Sequence, residues 1–141
     1  VRRANPKAKV HAQKLDVLHG LGELASNAFD VVVSDPPALA KSRKDLPQGT
    51  HAYLQLHTQA IRLASPGGWI AASSCSGLLG EPEFAATLAK AARRNGKRVQ
   101  YFERGGQGPD HPVIAEFPEG RYLKTFFGRV TAGSAAEDSK G

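Results

Sequence analysis

The feature that most constrains the fold is the run Phe29–Ser34, in which Val31, Val32 and Val33 stand side by side. β-branched residues without polar alternation suit a strand covered on both faces, as in a parallel sheet. The run stops at Asp35-Pro36-Pro37, where proline cannot continue a hydrogen-bonded ladder. A parallel neighbour requires a crossover, and the following sequence has the pattern of one. Residues 38–50 are polar, basic and turn-rich, which predicts an exposed loop. Residues 51–64 then read as a helix, with Tyr53, Leu56, Ala60, Ile61 and Ala64 on one stripe. Ser65-Pro66-Gly67-Gly68 has the residues that end helices, and 69–74 reads as a second buried strand followed by a loop over 75–80.

The same alternation continues. Glu81-Pro82-Glu83 opens a helix, with proline in its first turn and acids at the positive end of its dipole. Phe84, Leu88, Ala91 and Ala92 form its apolar stripe, and Asn95-Gly96 closes it. Strands are predicted over 98–102 and 122–130, separated by a long loop over 105–120, and 131–141 is expected to be a disordered polar tail. Upstream, 10–16 reads as a short strand ending in Asp16, and Leu18, Leu21, Leu24 and Ala25 then recur at helical spacing, weakened by Gly20 and Gly22. The pattern implies an open doubly wound α/β sheet whose last two strands are antiparallel.

A chain of 141 residues has room for one domain, taken as 1–130 ahead of the tail. No apolar run is long enough to span a bilayer, and the opening residues lack the apolar centre of a secretory signal. There is no methionine, so the sequence is read as a piece of a longer translation product. The single cysteine, Cys75, cannot form an internal disulfide, and the five histidines show no metal-ligand spacing, so no metal is expected. The net charge of +6 suits a phosphate backbone as a partner and equally suits simple solubility.

In open α/β sheets ligands sit beyond the carboxyl ends of the strands, and three polar signals are expected there: Asp16, Asp35-Pro36-Pro37 and Ser73-Ser74-Cys75-Ser76. Each has two readings. Asp35 either caps a rigid turn or meets a flat base on a loop that costs little entropy to order. Cys75 either packs as a small hydrophobe or serves as a nucleophile just past a strand, in a segment that looks too polar for a core. Gly105-Gly106-Gln107-Gly108 lacks the strand-turn-helix context of a phosphate loop and reads as a plain loop. Asp110-His111-Pro112 is either a turn before proline or a source of an acid or base.

Phe29–Ser34 with Asp35-Pro36-Pro37-Ala38 and Lys41-Ser42 resembles motif IV of RNA methyltransferases, and Ser73-Ser74-Cys75-Ser76 resembles motif VI of RNA cytosine-C5 methyltransferases. Pro66-Gly67-Gly68 is similar to the turn before a strand in class I enzymes. Asp110-His111-Pro112, together with Phe117-Pro118-Glu119-Gly120-Arg121-Tyr122-Leu123-Lys124, is similar to the closing stretch of the bacterial 23S rRNA cytosine-C5 methyltransferase family, type I. The resemblance implies a truncated Rossmann-like class I methyltransferase fold, strands three to seven with the last antiparallel, acting with S-adenosyl-L-methionine on ribosomal RNA in the cytoplasm. It makes Cys75 the nucleophile that adds to C6 of cytosine, and Asp35 the group at N3. It gives Asp16, Val17, Asp35 and Pro36 to the cofactor, and Pro37, Lys41, Arg43, Lys44 and His111 to the substrate.

Two departures from the family stand out. Ala38 and Leu39 occupy the place where many related enzymes carry a second cysteine, so the proton-abstracting base is open, with His111 a candidate. The glycine-rich loop after strand one and the acid after strand two are also missing, as is the RNA-binding PUA domain the family usually carries ahead of them. In the family sheet, order 3-2-1-4-5-7-6, the strand ending at Asp16 lies three places from that ending at Ser34, a gap near 14 Å at about 4.8 Å per place. The start of the chain is therefore expected to be unstable or rearranged and cofactor binding to be weak. Two other functions compete: an amino-group methyltransferase acting on guanine N2 or adenine N6, which needs no cysteine, and a non-catalytic RNA-binding remnant.

Overall fold

The computed structural model describes residues 7–133. Its elements follow one another as β1 (Phe29–Ser34), α1 (Leu46–Leu63), β2 (Ala64–Ser74), α2 (Glu81–Arg94), β3 (Lys97–Gly105) and β4 (Lys124–Ala132), with short 3-10 turns at Leu21–Glu23 and Pro118–Gly120. One four-stranded sheet has the order β1-β2-β4-β3. β1 runs parallel to β2, with Ser34 opposite Ala72, and β4 lies antiparallel to both β2 and β3. This is the Rossmann-like class I methyltransferase arrangement in its 4-5-7-6 part, including the antiparallel end.

Both helices cover the same face of the sheet. Tyr53, Ile61, Phe84, Leu88, Phe126 and Val130 are fully buried between them and the strands. Their aromatic rings meet in a chain, Tyr53 against Phe84 with centroids 5.5 Å apart and Phe84 against Phe126 at 5.8 Å. Lys97 ties the layers at the far end. Its ammonium donates to the carbonyls of Ile61 (2.9 Å) and Ala64 (2.7 Å) and so satisfies the carboxyl terminus of α1.

Several expectations change. Helix α1 begins at Leu46, within the stretch expected to be loop, because Pro47 fits a first turn. Strand β2 begins at Ala64, so the Pro66-Gly67-Gly68 turn lies inside its bounds. Strand β4 runs through Ala132, two residues into the expected tail, and 134–141 lie outside the described residues. Phe29–Ser34 forms a strand as expected but is covered on one face, leaving Val31 59% and Val33 69% exposed, because α1 and α2 share the opposite face.

The largest change is upstream. Residues 10–16 form no strand and belong to no sheet among the described residues. A strand is stable only with a neighbour to take its backbone bonds, and the sheet offers none at the three-place distance. The helical spacing from Leu18 to Ala25 yields the single 3-10 turn at Leu21–Glu23.

Candidate functional site

The carboxyl ends of β1 and β2 deliver the two loops expected to carry chemistry. Because Ser34 pairs with Ala72 in parallel register, Asp35 and Cys75 leave neighbouring strands in the same direction. At about 4.8 Å between strands and about 3.3 Å per residue, their Cα atoms stand on the order of 8 Å apart. Asp35 and Pro37 are exposed, Pro36 is buried and Cys75 is half-buried.

A buried polar network joins the loops. The Ala40 amide donates to Ser76 Oγ (3.2 Å), linking the segment after Asp35 to the segment after Cys75. The Ser74 hydroxyl donates to the Tyr53 hydroxyl (2.9 Å), which lies 3.0 Å from Ser76 Oγ. The Ser76 amide turns back onto Ser74 Oγ (3.2 Å). Lys124, 8% exposed, donates from Nζ to the Ser76 carbonyl at 2.8 Å. Burial pulls its pKa down, while the nearby Cys75 and Glu81 oppose that pull. Cys75 is thus the half-buried residue between two serines that are almost entirely buried. The segment is polar and yet part of the core, because Tyr53 satisfies its hydroxyls. Ser34 Oγ, also buried at this edge, has no hydrogen-bond partner among the described residues.

A shallow cleft of about 290 Å³ opens beside this edge, lined by Ala38, Leu39, Lys41, Asp45, Gln48, Gly49 and Ala52. Gly49 makes it possible for α1 to start so close. A Cβ there would stand 2.5 Å from the Leu39 carbonyl oxygen and 2.7 Å from Ala40 Cβ. Lys41 lines the cleft, and Lys41, Arg43 and Lys44 are all exposed.

The structure does not bring every predicted residue to this edge. Asp16 accepts from its own turn, at 2.8 Å from His19 Nδ1 and 3.0 Å from the Leu18 amide. The His19 hydrogen bond, then the Leu18 amide, hold its carboxyl below the ordinary range. The Gly20 amide closes that turn on the Asp16 carbonyl, and the adjoining Leu21 carbonyl accepts from Arg62 Nη2 at 2.6 Å. Arg62 belongs to the last turn of α1, so Asp16 and exposed Val17 sit on a segment fastened to the amino ends of the strands. His111, by contrast, belongs to the 106–123 loop, which joins β3 to β4 at the same edge as the end of β2; it is exposed, and its Nδ1 meets Asp110 Oδ2 at 3.2 Å. Among the described residues, no group of three or more His, Cys, Asp or Glu could hold a metal ion, and no helix is long and apolar enough to cross a membrane.

Tyr53, Gly49 and Lys124 had no place in the sequence-derived site. Signals for two of them existed. A tyrosine in an apolar stripe needs a partner for its hydroxyl. Lys124 shares the period-two face of Phe126 and Val130, so it points into the core.

Comparison with known proteins agrees with the fold. Ribosomal RNA large subunit methyltransferase I of Citrobacter koseri is 43% identical over 102 residues, covering 72% of this chain and 26% of that protein. The chain therefore spans about a quarter of the length of the curated relatives it matches. Among solved structures, a protein from Streptococcus mutans described as a SAM-dependent methyltransferase superposes with a TM-score of 0.56 at 20% identity, over 71% of this chain and 25% of that one. A Thermus thermophilus protein described as a DNA modification methylase, complexed with S-adenosyl-L-methionine, gives 0.55 at 13% identity, over 89% and 54%. No family model matches.

Proposed function

We propose that this chain is the carboxy-terminal part of a catalytic domain that forms 5-methylcytosine in large-subunit ribosomal RNA, working in the cytoplasm with S-adenosyl-L-methionine as methyl donor. The observation that carries the reading is the meeting of two loops, one bearing Asp35 and one bearing Cys75, on adjacent parallel strands bridged by the Ala40–Ser76 hydrogen bond. Similarity to the large subunit methyltransferase I proteins supports the substrate class.

Cytosine C5 is a poor nucleophile because its electrons are held in the aromatic ring. Sulfur adding at C6 breaks that delocalisation: the S–C6 bond forms and the C5–C6 π pair becomes available at C5. Asp35 assists as the carboxylic acid that gives its proton to N3 as the ring takes up negative charge, and recovers it when the adduct breaks down. Pro36 and Pro37 fix its loop, so little entropy is lost when the base arrives. The cofactor, when bound, supplies an electrophilic sulfonium methyl group. A base, for which His111 is the candidate, takes the C5 proton; the C5–H electron pair then reforms the C5–C6 double bond and expels the sulfur as the Cys75 thiolate. Lys41, Arg43 and Lys44 hold RNA phosphates, and Pro37 and His111 face the substrate.

The fit to the cofactor is partial. Asp35 and Pro36 stand at the edge where the methyl group is needed. Asp16 and Val17 serve only if their segment is carried from the amino ends of the strands to that edge.

The test is Cys75→Ala in the protein as the cell makes it, with the RNA product read by nucleoside mass spectrometry. The proposal expects 5-methylcytosine to fall to background. Retained formation of a methylated guanine N2 or adenine N6 would instead establish the amino-group chemistry, for which the sulfur is unnecessary.

A further inference from the structure

The face of the sheet turned away from α1 and α2 carries aromatic side chains that the mechanism above leaves without a task. On β2 the residues that alternate with buried Ile70 and Ala72 point to it, and their antiparallel partners on β4 point the same way, pairing Trp69 with Arg129, Ala71 with Phe127 and Ser73 with Thr125. Ser73 and Thr125 stand nearest the Cys75 loop, their hydroxyls 2.9 Å apart. Further from that loop, Trp69 meets Phe102 of β3 edge to face, with centroids 5.2 Å apart, and Phe102 meets Phe127 at 6.4 Å. The Arg129 guanidinium lies 5.8 Å from the centre of the Trp69 ring, and its Nε donates to the Gly67 carbonyl at 3.2 Å, leaving the terminal nitrogens for a ligand. Trp69 is 45% and Phe102 61% exposed, and rings set edge to face leave flat aromatic surface uncovered. Exposed rings gathered on one face mark a surface that meets a partner.

The chemistry of the face decides between partners. Its rings are interleaved with hydroxyls and a guanidinium, whereas the aliphatic part, Val31 and Val33, lies apart on β1 at the free edge of the sheet. Glu103, opposite Phe127, is an acid on this face, and Arg129 and the net charge of +6 outweigh it for a polyanion. Aromatic rings on the open face of a four-stranded sheet suit unpaired bases, because every base has a π face to stack. We propose that this face binds single-stranded RNA, with bases stacked on Trp69 and Phe102 and a phosphate at Arg129. The strand continuing from the target nucleotide leaves the Cys75 loop over Ser73 and Thr125 and runs down to the rings. The inference rests on the proposed RNA substrate, but the binding is measured apart from methylation.

Trp69 is the one tryptophan in the sequence, so its fluorescence reports this face alone. The chain is titrated with single-stranded oligocytidine RNA of about 12 nucleotides, a length within the range of single-strand sites. Heparin, a polyanion without bases, serves as the control. The RNA should quench Trp69 to saturation and heparin should not. Phe102→Ala keeps the reporter and removes a stacking ring, so the affinity for RNA should fall about tenfold. Arg129→Gln should weaken binding and lower its salt dependence by about one phosphate. Unchanged fluorescence with RNA, equal quenching by heparin, or full affinity in Phe102→Ala would each overturn the proposal. So would sedimentation showing a dimer that Phe102→Ala dissociates, which would give the face to a second copy of the chain. Should Phe102→Ala fail to fold, Phe102→Leu keeps the apolar bulk without the flat ring and must show the same loss. Weakened RNA binding in Phe102→Ala, with methylation intact in Cys75→Ala, would sink the covalent mechanism and leave the RNA surface standing.

Discussion

Acidification should cost this fold a defined amount of stability through His57. The residue is fully buried on α1, with its ring centroid 4.9 Å from that of Phe84. Its Nδ1 lies 2.9 Å from Thr87 Oγ1, and that hydroxyl already donates its proton to the Phe84 carbonyl at 2.7 Å. The hydrogen between His57 and Thr87 must therefore come from the imidazole, which leaves Nε2 as a bare lone pair. Nε2 has no partner among the described residues. Protonating it would place an unsatisfied cation among aromatic rings, and burial accordingly lowers the His57 pKa from 6.5 to about 4. Above pH 6.5 the imidazole is neutral whether the chain is folded or not, and stability is independent of it. Below that the unfolded chain takes up a proton that the folded chain refuses, so stability falls steadily until the folded imidazole protonates near pH 4. The full difference corresponds to about 3 kcal/mol, at 1.36 kcal/mol per pH unit. Urea unfolding between about pH 7.5 and 4 measures it, with His57→Phe as reference because the aromatic neighbours accept a ring and Thr87 keeps its bond to Phe84. The parent should lose about 3 kcal/mol more than the variant over that range. Parallel curves would refute the reasoning.

Three further outcomes follow from the same geometry. Tyr53→Phe removes the hydroxyl between two buried serines and should cost about 1–3 kcal/mol in denaturant unfolding. Gly49→Ala forces a methyl group against the Leu39 carbonyl, so α1 must shift, and the thermal midpoint should fall by the equivalent of about 1–3 kcal/mol. Calorimetric titration of this chain with S-adenosyl-L-methionine should show weak binding or none. A micromolar dissociation constant would contradict the placement of Asp16 and Val17 at the amino ends of the strands.

The parts of the fold governed by local rules were legible. Phe29–Ser34 ended at prolines and formed the expected strand, and Glu81–Arg94 opened on acids and closed at Asn95-Gly96 as helix chemistry requires. The antiparallel end of the sheet followed from two strands with no helix between them. What failed depended on neighbours. The 10–16 run has the pattern of a strand, but a pattern cannot supply the pairing partner it needs. Three adjacent valines suggest cover on both faces, and whether a second layer is present is not written in the valines. At the site, Asp35 and Cys75 could be named from their positions after strands. Tyr53, Gly49 and Lys124 could not, because their importance lies in contacts between segments far apart in the chain.

The central claim is that the Cys75 sulfur adds to a pyrimidine held over Asp35. RNA carrying 5-fluorocytidine at the target position tests it most directly, because fluorine at C5 cannot leave as a proton does and the S–C6 bond, once made, persists. Incubated with the protein as the cell makes it and with the methyl donor, this RNA should yield a complex that survives denaturing electrophoresis and maps to Cys75 by peptide mass spectrometry. Methylation of unmodified cytosine at C5 with no such adduct on the fluorinated RNA would contradict the account.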